Sequence, residues 1–191
     1  MPSLRPVFLA KTRGQSLVIA ALVLPVLLAF TLLVVEVAER WLEVAMVEDA
    51  LQHATRSAVQ TIDYAPLAEG QDQLRASAAC EGVTTAQAAG GPCADVIAVA
   101  DTFFRVNLRG VRGLVGDTPD TAIAAAAAQV VWTVYPAGGS CTYSNGEGVA
   151  YDPTPLICAE VRPTMRGIVG WGHYTPLIVA ADRLDPVQLQ P

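Results

Sequence analysis

Apolar residues along this chain fall into three rhythms, and each predicts a different kind of element. From Leu17 to Val35 the sequence reads LVIAALVLPVLLAFTLLVV, without one ionisable side chain. Such a run of about nineteen residues matches the ~20 that a helix rising ~1.5 Å per residue needs to cross a ~30 Å hydrocarbon core. From Val37 the rhythm changes to steps of three or four, through Trp41, Val44, Val47, Leu51, Ala54, Ala58 and Ile62. That stripe marks one face of an amphipathic helix, with Glu39, Arg40, Glu43, Asp49 and Arg56 falling largely off it. A single helix from Ser16 to about Asp63 is expected, on the order of 70 Å long, half in lipid and half forming a stalk. Pro25 cannot donate to the carbonyl of Ala21 and bends or loosens the helix there, which membrane helices tolerate. Pro66 ends the stalk by disfavouring helix at Ala65.

Beyond the stalk, Leu67 to Ala79 reads as a short helix or loop leading into Cys80. Residues 81–92, EGVTTAQAAGGP, are small, polar and glycine-rich and predict an exposed loop. A second helical pattern follows, with Val96, Val99, Ala100, Phe103 and Leu108 near one face, placing a helix at about Ala94 to Asn107. The glycines and proline of GVRGLVGDTPD break it. Ala122 to Ala128 favours helix by propensity, but the β-branched and aromatic residues that follow predict a strand from about Ala127, or earlier, to Tyr135. The third rhythm is a loose alternation, which predicts strands at Leu156 to Arg162 and Leu177 to Asp182 with the turn GIVGWGH between them. Three antiparallel strands leaning on the stalk would bury its apolar stripe, an α+β arrangement of a long helix on a small antiparallel sheet with one or two further helices. The organisation is then a leader over residues 1–14, a transmembrane and stalk helix over 15–63, and one α+β domain over 64–191.

Charge gives this arrangement a direction. Arg5, Lys11 and Arg13 precede the run with no acid among them, whereas Glu36, Glu39, Glu43, Glu48 and Asp49 follow it against Arg40 alone. The positive-inside bias places the N-terminus in the cytoplasm and the domain outside, as a single-pass membrane protein. Trp41 falls near the outer interface, where tryptophan is favoured. A secretory signal usually has ~7–15 apolar residues and a small-x-small site, but here helical patterning continues through Val37 to Trp41. Composition agrees: hydrophobic residues make up 52 % of the 191, and the spanning helix accounts for much of that excess. A formal net charge of −6 over the whole chain, more negative still once the three leading bases are set aside, argues against nucleic acid as a partner.

All four cysteines, Cys80, Cys93, Cys141 and Cys158, lie after the apolar run. Four cysteines allow three connectivities. Nearest-neighbour pairing, Cys80 with Cys93 and Cys141 with Cys158, closes two short loops without knotting, and each loop of that size stabilises by roughly 3 kcal/mol in the chain-entropy model. A four-thiolate zinc site would need the CxxC spacing that this chain lacks.

No catalytic constellation is visible, and neither a metal nor a cofactor is expected. His53 on the stalk and His173 beside Gly172 read as structural or surface residues. Gly139-Ser140-Cys141 lacks the strand-turn-helix setting of a nucleophile elbow, and GVRGLVG and GIVGWG lack dinucleotide-binding spacing. Asp117, Asp120, Glu147 and Asp152 fit no EF-hand loop and read as solvated loop carboxylates. Glu36, at the outer end of the run, reads as a boundary marker ahead of a partner for another stalk. Tyr143 and Tyr151 in the loop clamped by the second cysteine pair read as hairpin packing or as contacts to an external partner.

Arg13-Gly14 before an apolar run containing LVLPVLL, the stalk MVEDALQHATRSAV, the segment FFRVN and the terminal VRPTMRGIVGW and PLIVAAD resemble TadE/TadG-like minor pilins (pseudopilins) of tight-adherence, or Flp-type, pili. The resemblance touches both ends of the chain, and the cysteine loops stand outside it as a local elaboration. It implies a pilin-like fold and a non-enzymatic subunit of a type IVb-like pilus or secretion system. It also implies cleavage by a prepilin peptidase after Gly14, leaving Gln15 as the mature N-terminus. The implied partners are other pilin or pseudopilin subunits, met through the N-terminal helix, the inner-membrane assembly machinery and the lipid bilayer. Ile19 stands where prepilins of this group usually carry glutamate at the fifth mature position, a departure that resembles TadG-like more than TadE-like members.

Overall fold

The computed structural model describes residues 12–151, 153–167 and 172–184. Its spine is α1, an unbroken helix over Thr12–Val59 of 48 residues, with Pro25 inside it. At ~1.5 Å per residue it is about 72 Å long. Most of the leader lies outside the described residues, but Gly14 and Gln15 fall within the helical backbone of α1.

The helix stops short of Asp63 because the chain there finds other partners. The Arg75 N–H donates to the Thr61 carbonyl at 2.9 Å and the Asp63 N–H to the Gln73 carbonyl at 2.9 Å, while Ile62 and Leu74 form a bridge. Released from α1, Asp63 caps the short α2 (Tyr64–Ala68), its carboxylate accepting the Ala65 N–H at 3.1 Å.

Residues 81–92 are not simply a loop. Strand β1 (Cys80–Thr84) runs into α3 (Thr85–Ala88) at a capping box, in which the Thr84 hydroxyl accepts the Gln87 N–H and the Gln87 side chain accepts the Thr84 N–H. Gly82, at a φ of 63°, sits where the register of β1 slips against its neighbour. A bulge of this kind suits glycine, which enters the left-handed region without a Cβ clash.

Helix α4 (Ala94–Asn107) follows the apolar periodicity, with Val96, Ile97, Ala100 and Phe104 buried, although Val106 and Phe103 are exposed. Helix α5 (Pro119–Ala128) replaces the start of the expected strand. Thr118 caps it reciprocally with Thr121, and Pro119 occupies its first turn. Such an N-terminus, followed by an alanine run, commits the segment to helix before the β-branched residues begin. The strand therefore opens only at Val131.

Four strands form the main sheet, in the order β1, β2 (Val131–Tyr135), β5 (Leu156–Val161), β8 (Ile178–Arg183), every neighbour antiparallel. The fold is thus α+β, a long apolar-to-amphipathic helix with a small antiparallel sheet and few further helices. Two short ribbons accompany the sheet: β3 (Gly139–Thr142) with β4 (Gly148–Tyr151), and β6 (Met165–Arg166) with β7 (His173–Tyr174). The tip of the second ribbon, part of the expected GIVGWGH turn, lies outside the described residues.

Alternation along the strands separates two faces. Trp132 and Val134 of β2, Ile157, Ala159 and Val161 of β5, and Ile178 and Ala180 of β8 enter the main core with Val47, Leu51, Ala54 and Ala58 of α1. On the opposite face, Cys141, Leu156 and Cys158 form a smaller cluster with Tyr135, Tyr143, Val149 and Tyr151. Cys80 is bonded to Cys93, tying the edge strand β1 to the start of α4. Cys141 is bonded to Cys158, pinning the β3–β4 ribbon to the outer face of the sheet.

Candidate functional site

The site with a physical claim to function is α1 itself and the point where it enters the domain. From Val18 to Val35 every residue is exposed, including Leu24 at 61 % and Phe30 at 63 %, and the most apolar window has a mean hydropathy of 3.0 with none of it buried. An exposed apolar helical surface of this length is the kind that a hydrocarbon core accommodates without cost. Its polar exception, the Thr31 hydroxyl, is satisfied by donating to the Leu27 carbonyl at 2.8 Å. One long apolar helix near the N-terminus could thus span a membrane.

Burial begins abruptly at Glu36, which is 1 % exposed. The carboxylate accepts from Arg40 Nε at 2.9 Å and lies so close to Gly167 that a Cβ there would overlap it. Glu36 does stand at a boundary, then, but one with its charge engaged inside its own chain. The Arg40 guanidinium in turn lies 5.0 Å from the centroid of the Tyr174 ring, on the β6–β7 ribbon.

Two turns beyond Glu36, Glu43 turns inward too, at 7 % exposure. Its carboxylate accepts the backbone N–H groups of Arg112 and Gly113, each at 3.1 Å. These donors belong to the glycine-broken segment after α4, and a buried backbone N–H without a partner is costly. Glu43 is therefore the acceptor that lets this segment pass against the stalk. The expected stripe begins later than the sequence suggested: Val37 and Trp41 are 48 % and 75 % exposed, and Glu36 and Glu43 take the inward positions instead. From Val47 onward the stripe holds, with Ala50, Leu51, Ala54 and Ala58 buried.

Electrostatics at this junction are dominated by carboxylates. Burial, and then Glu43, push the Tyr174 phenol above its usual range, with Glu36 and Glu39 adding to the shift and Arg40 opposing it. The Tyr174 hydroxyl and Glu39 Oε2 are buried with no hydrogen-bond partner among the described residues.

The remaining candidates are dispersed. His53 faces Asp49 at 3.6 Å on the open side of α1, and His173 is exposed on β7. Asp117 precedes α5, Asp120 lies in its first turn, and Glu147 accepts from Asn145 Nδ2 at 2.8 Å in the β3–β4 turn; Asp152 lies outside the described residues. Among the described residues no group of three or more His, Cys, Asp or Glu side chains could hold a metal ion. Tyr143 and Tyr151 pack onto the outer disulfide cluster, and the Arg183 guanidinium lies 4.6 Å from the Tyr151 ring centroid. Tyr143 is held above the usual phenol range by burial and by Glu160.

Sequence reasoning missed the anchoring role of Glu43 and the engagement of Glu36. A signal was present: the small residues Ala50, Ala54 and Ala58 define the closest-packed face of α1, and extending that face backward reaches Val47, Glu43 and Glu36. Compared with known proteins, the chain matches no family model and finds no significant match among curated proteins or solved structures.

Proposed function

We propose that this protein is a non-enzymatic, membrane-anchored minor pilin or pilus-assembly subunit of the tight-adherence type, a pilin-like protein with its N-terminus in the cytoplasm and its domain outside. The observation that carries the reading is the division of one continuous helix at Glu36: eighteen exposed residues from Val18 to Val35 on one side, and the spine of an α+β domain on the other. A subunit built in this way can be stored in a bilayer and then packed through the same apolar surface against other pilin helices. Both environments satisfy that surface equally, because hydrocarbon and a neighbouring apolar helix exclude water alike. Two disulfides suit an oxidising compartment outside the cytoplasm. The partners on this reading are other pilin or pseudopilin subunits, the inner-membrane assembly machinery and a prepilin peptidase acting between Gly14 and Gln15.

Mass spectrometry of the native protein tests it. A mature N-terminus at Gln15, together with substoichiometric recovery in sheared pili, is the expected result. Pili composed chiefly of this chain would make it the major filament subunit instead. Ile19 favours one second reading, a signal-anchored extracytoplasmic binding domain unrelated to pili, because a buried charge partner is missing from the position where the family places glutamate. An intact leader and no copurifying pilus components would establish that alternative.

A further inference from the structure

Five of the nine arginines that follow the apolar run are ion-paired with acids of this chain. Beyond the apolar run, Arg40, Arg56, Arg75, Arg105 and Arg162 are ion-paired, and Arg183 lies against Tyr151. Arg109, Arg112 and Arg166 make no ion pair among the described residues, and all three line one groove of about 260 Å³. Gly116, Asp117 and Thr118 line it too, so three arginines share the lining with one acid, while the Glu43 carboxylate is engaged by the backbone N–H groups of Arg112 and Gly113.

The height of this groove on the stalk decides what would fill it. Its floor is fixed to α1 by Glu43, through the N–H groups of Arg112 and Gly113. The Arg166 N–H donates to the Gly113 carbonyl at 2.8 Å, and the next residue, Gly167, lies against Glu36, the first buried residue after the uninterrupted exposed run from Val18 to Val35. Glu43 lies seven residues past Glu36, so the groove's attachment to α1 stands about 10 Å above the apolar run. A bilayer of ~40–45 Å with a ~30 Å hydrocarbon core ends its headgroup layer about 5–7 Å above the hydrocarbon, within an arginine side chain's reach of the groove.

We propose that the Arg109–Arg112–Arg166 groove binds the phosphate headgroup of an anionic phospholipid of the membrane that α1 spans. Guanidinium groups present forked donors that fit phosphate oxygens in pairs, and exposed flexible arginines can reach down to a headgroup with little strain. The headgroup supplies the charge that the protein withholds, and the contact fixes the rotation of the domain about α1 relative to the bilayer surface. The assignment rests on α1 spanning a membrane, as proposed above.

The test uses the full chain in nanodiscs of phosphatidylcholine and phosphatidylglycerol in equal parts, with retained lipids read by native mass spectrometry. Wild type should keep phosphatidylglycerol in preference to phosphatidylcholine. Arg109→Gln, Arg112→Gln and Arg166→Gln should each weaken that preference by about fivefold, and the triple variant should abolish it. Arg56→Gln, which removes an ion-paired arginine elsewhere, should leave it unchanged. An undiminished preference in the triple variant, or none in wild type, overturns the proposal. Inorganic phosphate bound by the detergent-solubilised chain as tightly as the lipid would assign the groove to free phosphate and also overturn it. Failure of the chain to enter nanodiscs at all would instead remove the membrane reading beneath it.

Discussion

Replacing Glu43 with alanine isolates the contact that holds the segment after α4 against the stalk. In the native protein the carboxylate takes two backbone N–H groups, from Arg112 and Gly113, and the Gly113 bond is fully buried. Each donor left without a partner costs about 1–3 kcal/mol, and truncation also returns the desolvation cost of the carboxylate itself. The expected loss is about 2–4 kcal/mol, large beside a total stability of about 5–15 kcal/mol. Glu43→Gln keeps one acceptor oxygen without the charge and should cost about half as much. Urea unfolding of the full chain in detergent micelles measures both, with the exposed Glu48→Ala as control. Hydrogen exchange should locate the damage at the amides of Arg112 and Gly113. If Glu43→Ala falls within about 0.5 kcal/mol of the control, the bonds contribute nothing net and the reasoning fails. Equal costs for Gln and Ala would show that the charge alone carries the contact and that the retained acceptor oxygen adds nothing.

Other perturbations probe separate parts of the structure. Gly167→Ala drives a methyl into the Glu36 carboxylate and should destabilise by about 1–3 kcal/mol. Adding Glu36→Ala should recover part of that cost, and strict additivity in the double-mutant cycle would contradict the contact. Replacing Cys80 and Cys93 with serine should lower global stability by about 3 kcal/mol, measured by denaturant unfolding, because that bond joins β1 to α4 across the main core. Replacing Cys141 and Cys158 should instead speed hydrogen exchange mainly in β3 and β4, since that bond serves the outer cluster; uniform global loss would refute the division. Tyr135 is held above the ordinary phenol value of 10.0, first by donating to Glu81 at 2.7 Å, so folding favours its protonated form. Its contribution is intact below the unfolded value, and it is lost as pH rises through the folded one. Unfolding titrations of Tyr135→Phe should therefore show a shallower fall in stability above pH 10 than wild type, and identical curves would remove the bond from the account.

How much of this could be read from residues alone depended on whether a segment's partner was local. The apolar run from Leu17, the periodicity of α4 and the strands around Ile157 and Ile178 carry their signals within a few residues, and the structure has elements at those places. Capping was the local signal overlooked: Thr84 with Gln87, and Thr118 with Thr121, mark the starts of α3 and α5, and the second moved the start of β2 from Ala127 to Val131. Strand β1 had no legible pattern because its sequence offers only Val83 as an apolar residue in the middle, and its pairing with β2 includes a bulge at Gly82. The inward turn of Glu36 and Glu43 was missed for a different reason. On a helix wheel a carboxylate belongs on the wet side, and only the distant donors of residues 112 and 113 make it economical to turn one inward. The arginine groove was equally illegible, since Arg166 joins Arg109 and Arg112 only through pairing across the fold.

Because α1 passes Glu36 without a break, the domain has no wrist where it meets the exposed apolar run. It behaves mechanically as a lever whose arm runs from Pro25 to Val59, about 50 Å at the usual helical rise. Membrane helices commonly incline by about 20°, and a swing of that size about Pro25 would carry the far end some 17 Å sideways. With α1 spanning a membrane as proposed, load applied to the exterior of the domain would be transmitted as torque into the core of the bilayer, to Pro25, the one residue in the apolar run whose backbone cannot complete its hydrogen bond.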